Sequence, residues 1–257
     1  MTENGEGRRP LEAYEPIRSR IPGYPATGGR APGMDGETIY APGPPPRTPI
    51  TTALLVSNVA VFLLWSFAAR PTPFLVDNFL VSWTALADGR LWTLITSVFS
   101  HNLLLHLLVN MVVLMSFGKP MELLMGRGRF LRFFLTAGVV ASLAHAATSR
   151  FLLDRPELPA LGASGALAGV LMLFSFSFPK AKVLFFFIIP LPAIFAALAF
   201  IAIDVWGLMA QIGGGTLPIG HGAHLGGGLV GILYYLMRGG SLRDRRDRLG
   251  IGSSQLG

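Results

Sequence analysis

The amino-acid sequence predicts an all-α membrane protein, a bundle of six transmembrane helices with a long first outer loop. Of its 257 residues, 51% are hydrophobic and only 14% are charged, and the mean hydropathy is +0.54. A soluble domain normally carries about 25% charged residues. Six apolar segments, separated by polar or glycine-rich turns, account for the high hydrophobic content. A spanning helix needs ~20 predominantly apolar residues, so these segments are candidate spans.

Three regions follow from this pattern. Residues 1–48 are predicted to be a disordered cytoplasmic tail, because they have many Gly and Pro residues and few large apolar ones. The tail has no apolar core and contains acidic residues, which is typical of neither a signal peptide nor a mitochondrial transit peptide. Residues 49–238 form the membrane domain, and residues 239–257 form a basic cytoplasmic tail.

The second and fourth apolar segments are short for a complete span of ~30 Å, so a polar end is expected to lie below the membrane surface. The fifth segment is interrupted by Pro190 and Pro192. The six segments run from about Ile50 to Ala69, Leu103 to Phe117, Phe130 to Thr148, Ser164 to Phe178, Leu184 to Ile212 and Ile219 to Met237.

The distribution of basic residues predicts the orientation. With both termini in the cytoplasm, 17 of the 21 Lys and Arg residues lie on the inner side, as the positive-inside rule requires. The first outer loop, about Arg70 to His101, holds Trp83, Leu86 and Trp92 among polar residues, so it is expected to lie in the membrane interface.

Charge and cysteine content exclude several function classes. The net charge is +7, but the basic residues lie in the tails and at the ends of apolar segments, not on a face interleaved with aromatic residues. This pattern argues against nucleic-acid binding. Because the chain has no cysteine, disulfides, thiolate metal sites and cysteine nucleophiles are excluded.

Polar residues within apolar segments are costly, so they are candidates for function. Ser164 begins the fourth segment, where it could be an N-cap or a nucleophile beside free backbone N–H groups. His224 lies at the same end of the sixth segment. Gly165 and Gly169 on one helix, and Gly227 and Gly231 on the other, allow close approach. We therefore expect Ser164 and His224 to form a nucleophile and general-base pair.

The remaining polar residues allow more than one interpretation of their role. His106 and Asn110 share a helical face, and they could join helices by hydrogen bonds or donate to an oxyanion near Ser164. His221 and His224 form His-x-x-His, but no acidic residue lies near them in sequence, so no metal site is predicted. Asp204 and His145 are interpreted as structural.

These motifs resemble the rhomboid family. His101–Met111 is similar to the family's second-span pattern, Gly162-Ala163-Ser164-Gly165 to its Gly-x-Ser-Gly motif, and Ala223-His224 through Gly231 to its Ala-His-x-x-Gly-x-x-x-Gly pattern. Glu122 is similar to the acidic residue that follows the second span. The resemblance covers about residues 50–238. It departs from many members in the first outer loop, where Trp92-Thr93 stands in place of Trp-Arg.

The resemblance implies the six-helix rhomboid bundle and an intramembrane serine endopeptidase without a cofactor. Ser164 and His224 would be the catalytic pair, with no acidic third member, and His106, Asn110 and the Ser164 backbone N–H would hold the oxyanion. The expected partners are the lipid bilayer and substrate proteins with a transmembrane helix.

Two other functions stay open: a non-catalytic rhomboid-like protein that binds membrane clients, and a small-solute transporter. The excess of Arg over Lys and the apparent lack of a sorting peptide favour a bacterial plasma membrane.

Overall fold

The computed structural model describes residues 30–32, 38–40, 47–68, 72–185, 188–215, 219–249 and 251. Most of the tail predicted to be disordered therefore lies outside the described residues. Within it, two three-residue strands, β1 (Arg30–Pro32) and β2 (Thr38–Tyr40), pair in antiparallel fashion.

The rest of the described chain is mostly helical, with one further hairpin. A 3₁₀ turn, Ser97–Phe99, follows α4, and a π-helical segment, Leu114–Gly118, joins α5 to α6. The helices are α1 (Pro49–Phe67), α2 (Pro73–Phe79), α3 (Trp83–Ala87), α4 (Thr93–Thr96), α5 (Leu104–Val113), α6 (Lys119–Met125), α7 (Arg127–Phe151), α8 (Ser164–Ser177), α9 (Ala193–Ile212) and α10 (His221–Arg248). The strands β3 (Lys182–Phe185) and β4 (Ile189–Pro192) form the hairpin.

Four helical stretches of the described chain are long and apolar enough to cross a membrane: Pro49–Phe67, Leu104–Met125, Arg127–Phe151 and Ala193–Ile212. The predicted fourth span is the apolar helix α8, which has only 14 residues. The predicted sixth span is the first part of α10, whose two histidines and many glycines lower its hydropathy. The protein is thus a mostly helical membrane protein.

The second span is longer than predicted. The sequence argument ended it at Phe117, before Gly118 and Pro120, but the helix continues through the π-helical segment to Met125, over 22 residues. Pro120 directly follows the π-helical segment, whose wider turn already departs from the α-helical hydrogen-bond pattern that a proline interrupts. The prediction that this span is short is therefore wrong, whereas the short fourth segment is confirmed.

The fifth apolar segment consists of two structures. Its first part forms the β3–β4 hairpin, in which Lys182 is opposite Pro192 and Phe185 is opposite Ile189. Proline is tolerated in an edge strand because such a strand has N–H groups that need no partner. The helix begins only after Pro192, at Ala193.

The centre of the bundle is α8, which packs between α7 and α10 and is buried over most of its length. α7 and α10 run antiparallel, since Gly226 packs against Ala144 while Tyr234 stacks edge-on against Phe133. α10 continues to Arg248, so the boundary predicted between residues 238 and 239 falls within this helix.

The segment predicted to be the first outer loop contains α2, α3, α4 and the 3₁₀ turn. Arg90 connects two of its parts, because its guanidinium donates to Asp77 at 2.7 Å and to Asp88 at 3.0 Å. Thr93, which stands where many family members have arginine, is buried and donates its hydroxyl to the Arg90 carbonyl at 2.6 Å. Exposed apolar side chains remain at Phe74 and Trp92.

Candidate active site

Ser164 and His224 lie side by side, as their sequence patterns predict. Ser164 is the first residue of α8, and His224 lies in the first turn of α10. The distance from Ser164 Oγ to His224 Nε2 is 2.9 Å, within the range needed for proton transfer from a nucleophile to a general base. His224 is 14% exposed, so its ring is largely enclosed.

Four glycines permit this approach. A Cβ on Gly227 would overlap the Gly165 carbonyl oxygen, and a Cβ on Gly231 would overlap that of Gly169. A Cβ on Gly169 would come within 2.8 Å of the Gly227 carbonyl oxygen. The backbones of α8 and α10 are therefore in direct contact, which confirms the close approach predicted from the spacing of small residues.

Asp204 completes an arrangement that the sequence argument missed. Its Oδ1 lies 3.0 Å from His224 Nδ1, on the side of the ring opposite Ser164. A carboxylate there favours the tautomer in which Nδ1 carries the proton, which leaves Nε2 free to accept the proton of the Ser164 hydroxyl. Because Asp204 is 3% exposed, this interaction is shielded from water.

His221 shares the same carboxylate oxygen. Its Nδ1 lies 2.6 Å from Asp204 Oδ1, and its ring is buried. The ring occupies space that Gly207 leaves on α9, since any Cβ at that position would overlap the imidazole. From the sequence, Asp204 was interpreted as structural. One signal could have identified it as part of the site: it is an acidic residue within a span, and two histidines follow that span.

The loop before Ser164 is fixed by contacts with three parts of the chain. Ala160 pairs with Val81, Gly162 N–H donates to the Ser97 carbonyl at 2.9 Å, and His145 Nε2 lies 3.1 Å from the Leu158 carbonyl. His145 therefore has the structural contact expected of it. These contacts determine where α8 begins, and hence where Ser164 lies.

Gly162 brings His106 near the candidate nucleophile. It has a φ of +117°, a conformation that side-chain-bearing residues rarely adopt. A Cβ there would also lie 2.6 Å from His106 Cε1, so the imidazole packs directly on the Gly162 backbone, two residues before Ser164. α8 has no side-chain cap, so the N–H groups of its first turn are available to an oxyanion.

Asn110 is placed less favourably for this role. Its side chain is buried and its Nδ2 donates to the His106 carbonyl of the same helix at 2.9 Å. Within the described residues it makes no hydrogen bond to Ser164. The structure thus brings His106 close to the Ser164 loop and holds Asn110 one turn further along α5.

His101 lies behind His106, with 4.9 Å between the two ring centroids. Burial and the neighbouring His106 ring lower the pKa of His101 to about 4. At neutral pH this ring is therefore uncharged, so it adds no positive charge beside the Ser164 loop.

One group of side chains has the composition of a metal site. Ligand atoms of Asp204, His221 and His224 lie within 4.8 Å of one another. The prediction that these histidines form no metal site rested on the lack of an acidic residue near them in sequence. In the structure, α9 brings Asp204 against both His221 and His224. A metal ion bound there would occupy the His224 nitrogen that otherwise bonds to Asp204.

Comparison with known proteins agrees with the motifs. The Rhomboid domain family matches residues 88–241. The chain is 34% identical over 193 residues to RHOMBOID-like protein 12, mitochondrial, of Arabidopsis thaliana, covering 70% of this chain and 56% of that protein. It is 35% identical over 206 residues to Rhomboid protein 1, mitochondrial, of Saccharomyces cerevisiae, covering 76% and 55%. The human Presenilin-associated rhomboid-like protein, mitochondrial, is 31% identical over 191 residues, covering 71% and 46%.

The chain thus spans about half the length of these relatives. All three are named as mitochondrial, which contradicts the predicted localisation in a bacterial plasma membrane with cytoplasmic termini. That prediction was wrong because charge bias and composition report how a chain is oriented and not which membrane contains it. The match over residues 88–241, together with these relatives, shows that the chain belongs to the rhomboid family.

Proposed function

We propose that this protein is a serine endopeptidase that cleaves transmembrane or juxtamembrane segments of other membrane proteins. The observation that carries the proposal is the 2.9 Å contact between Ser164 Oγ and His224 Nε2 at the adjoining ends of two packed helices. Family membership supports it, because the matched residues 88–241 include both Ser164 and His224. The relatives' names favour a mitochondrial membrane as its location.

The reaction begins with proton transfer. His224 Nε2 accepts the Ser164 hydroxyl proton while Oγ attacks the scissile carbonyl carbon, giving a tetrahedral oxyanion and an imidazolium. The imidazolium then returns the proton to the leaving amine, and the peptide C–N bond breaks to leave an ester on Ser164. Water attacks this ester with His224 again as base, which releases the new carboxyl end and restores the hydroxyl.

The groups around Ser164 can stabilise the charges that develop. The backbone N–H groups at the start of α8 and the His106 ring are the nearest donors for the oxyanion. In this proposal Asn110 is a further donor to the oxyanion, after its amide has turned away from the His106 carbonyl. Asp204 holds the Nδ1 proton and stabilises the imidazolium through the 3.0 Å contact.

The length of α8 supports chemistry within the membrane. Its 14 residues extend about 21 Å, less than the ~30 Å hydrocarbon thickness, so Ser164 is proposed to lie below one surface. In this proposal α8 and α10 join the four long apolar helices in a six-helix bundle. The first outer loop lies in the interface through side chains such as Trp92.

Cleavage of a tagged single-span reporter, reconstituted with the full-length protein, tests the proposal. Ser164→Ala should lower the rate by at least about 10³-fold, since the nucleophile is lost. Ser175→Ala is the matched control, because Ser175 is a buried serine of the same helix, and it should leave cleavage intact.

Equal cleavage by the wild type and Ser164→Ala would overturn the assignment of the nucleophile. If neither cleaves any of several reporters while both retain a bound membrane protein, the protein is a non-catalytic client-binding member of the family. Solute uptake that survives Ser164→Ala would instead identify a transporter.

A further inference from the structure

A cavity of about 540 Å³ lies between α6, the beginning of α7 and the end of α10. Four arginines contribute to its wall, Arg129 and Arg132 from α7 and Arg238 and Arg245 from α10. Most of the other lining residues are apolar, and the lining includes no Asp or Glu. The cavity therefore combines a concentrated positive charge with an apolar wall.

The four positive charges are not neutralised by the protein. In the part of the chain that the structure describes, none of them forms an ion pair, whereas Arg90, Arg150, Arg155 and Arg246 each lie near a carboxylate. Arg245 Nε is buried without a hydrogen-bond partner among the described residues. Because a buried donor without an acceptor is destabilising, this N–H is available to an acceptor from a bound group.

The cavity lies at the end of the bundle remote from Ser164. Arg238 follows His224 on α10 by 14 residues, which corresponds to about 21 Å along the helix. With Ser164 below one membrane surface, as proposed above, this distance brings the arginines toward the opposite surface, where lipid phosphate groups are found. Leu233 and Met237, which also line the cavity, are 47% and 73% exposed, so apolar surface is accessible beside the arginines.

From this arrangement we propose that the cavity binds the headgroup of one anionic phospholipid. The guanidinium groups of Arg129, Arg132, Arg238 and Arg245 are suited to donate to the phosphate oxygens, because their planar forks match phosphate geometry. The apolar wall accommodates the first part of the acyl chains. A free phosphate ion would use only the charged half of this surface, so the apolar wall favours a lipid as the occupant.

The bound lipid connects the two helices that flank α8. α7 begins at Arg127 with no side-chain cap, and the positive end of its dipole faces the same region. A phosphate there bridges the start of α7 to the last turns of α10, the helix that carries His224 at its other end. This role is independent of the proposed peptidase activity.

Native mass spectrometry of the full-length protein in mixed micelles of phosphatidylcholine and phosphatidylglycerol tests the proposal. The wild type should retain one phosphatidylglycerol in preference to phosphatidylcholine. Arg132→Gln with Arg245→Gln should weaken this retention about 25-fold, at about fivefold for each basic group removed. Arg243→Gln is the matched control, because Arg243 is an exposed residue of α10 that does not line the cavity, and it should retain the lipid.

Equal retention of both lipids by the wild type would overturn the proposal, as would the same loss in the Arg243→Gln control. Inorganic phosphate at matched concentration provides a second arm. If inorganic phosphate displaces phosphatidylglycerol and raises the Tm of the protein as much as the lipid does, the site takes a free phosphate ion and the lipid is excluded. Should the double variant fail to fold, Arg132→Gln alone, at an exposed position, gives the same comparison with an expected fivefold loss.

Discussion

Asp204 presents one carboxylate oxygen to two histidine rings, His221 at 2.6 Å and His224 at 3.0 Å. The other oxygen, Oδ2, is buried and has no hydrogen-bond partner among the described residues. A buried carboxylate in an apolar helix is costly, so its retention between two imidazoles indicates that it acts through them. We infer that Asp204 positions His224 and fixes its tautomer.

Replacing Asp204 by Asn tests this role. The amide keeps the shape of the side chain but loses the negative charge, so the His224 tautomer and the imidazolium are no longer stabilised. We expect kcat on the reporter to fall by about 10²–10⁴-fold, with KM unchanged because Asp204 does not contact the substrate.

His221→Gln provides the comparison for this variant, since it removes the other ring while Asp204 and His224 stay paired. Its kcat should fall far less than that of Asp204→Asn. An unchanged kcat in Asp204→Asn, in protein with the wild-type Tm, would show that the pair of Ser164 and His224 works without a positioning carboxylate.

The sequence predicted the contact between Ser164 and His224 but not the contact of His224 with Asp204. Ser164 and His224 were found because each lies beside glycines spaced by four, a pattern that local sequence displays. Asp204 lies on a different helix, 20 residues before His224, and no spacing rule relates the two positions. The role of Gly162 also escaped notice, because its positive φ arises from a loop whose contacts come from distant segments.

At the scale of elements, the contact of α8 with α10 determines the geometry of the candidate site. Neither helix has a strongly amphipathic face, and α8 is apolar around most of its circumference. Its position is therefore set by which neighbours allow close approach, and its glycines provide that approach to the α10 backbone and to Ala137 and Ala141 of α7. Gly227 of α10 makes such a backbone contact with α8, whereas the adjacent Gly228 does not.

Gly227→Ala should destabilise the protein, whereas Gly228→Ala should not. A Cβ on Gly227 overlaps the Gly165 carbonyl oxygen, and overpacking of this kind costs about 1–3 kcal/mol in the free energy of unfolding. A Cβ on Gly228 meets only Met172 Cγ at 3.5 Å, an ordinary contact, and alanine is the better helix former by about 1 kcal/mol.

Thermal unfolding and reporter cleavage in detergent measure both variants. Gly227→Ala should lower the Tm and the rate together, because separating α8 from α10 lengthens the distance from Ser164 Oγ to His224 Nε2. Equal Tm values for the two variants would mean that the helices can move apart without cost, contrary to a fixed backbone contact.

Element boundaries were less predictable than the contacts between elements. The second span was predicted to end near Phe117, whereas the helix continues through the π-helical segment, past Gly118 and Pro120, to Met125. The fifth segment was predicted to begin near Leu184 with an interruption at Pro190 and Pro192, but its first part is the β3–β4 hairpin, whose apolar residues continue directly into α9. In both places hydropathy alone carries no information about backbone hydrogen bonding.

At the scale of the whole molecule, α1 is the most weakly attached of the long helices. Only Thr51, Leu54 and Asn58 are buried among its 19 residues. Its first turn, however, is bound by Glu122 of α6, which accepts from Ile50 N–H at 3.0 Å, Thr51 N–H at 2.7 Å and the Thr51 hydroxyl at 2.8 Å. A residue 71 positions away in sequence thus caps the helix, in place of Thr48, which makes no side-chain cap.

Glu122→Ala should release the beginning of α1 from the bundle. The substitution leaves buried N–H groups without an acceptor, at a cost of about 1–3 kcal/mol, while Glu122→Gln keeps one acceptor and should cost less. Hydrogen exchange should therefore accelerate at residues 50–54 in the order wild type, Gln, Ala, with α8 still protected because its largest contacts are with α7 and α10. Glu157→Ala, at an exposed carboxylate, is the control and should change neither helix. Faster exchange throughout α8 in Glu122→Ala would show instead that the attachment of α1 supports the whole bundle, including the end that holds Ser164.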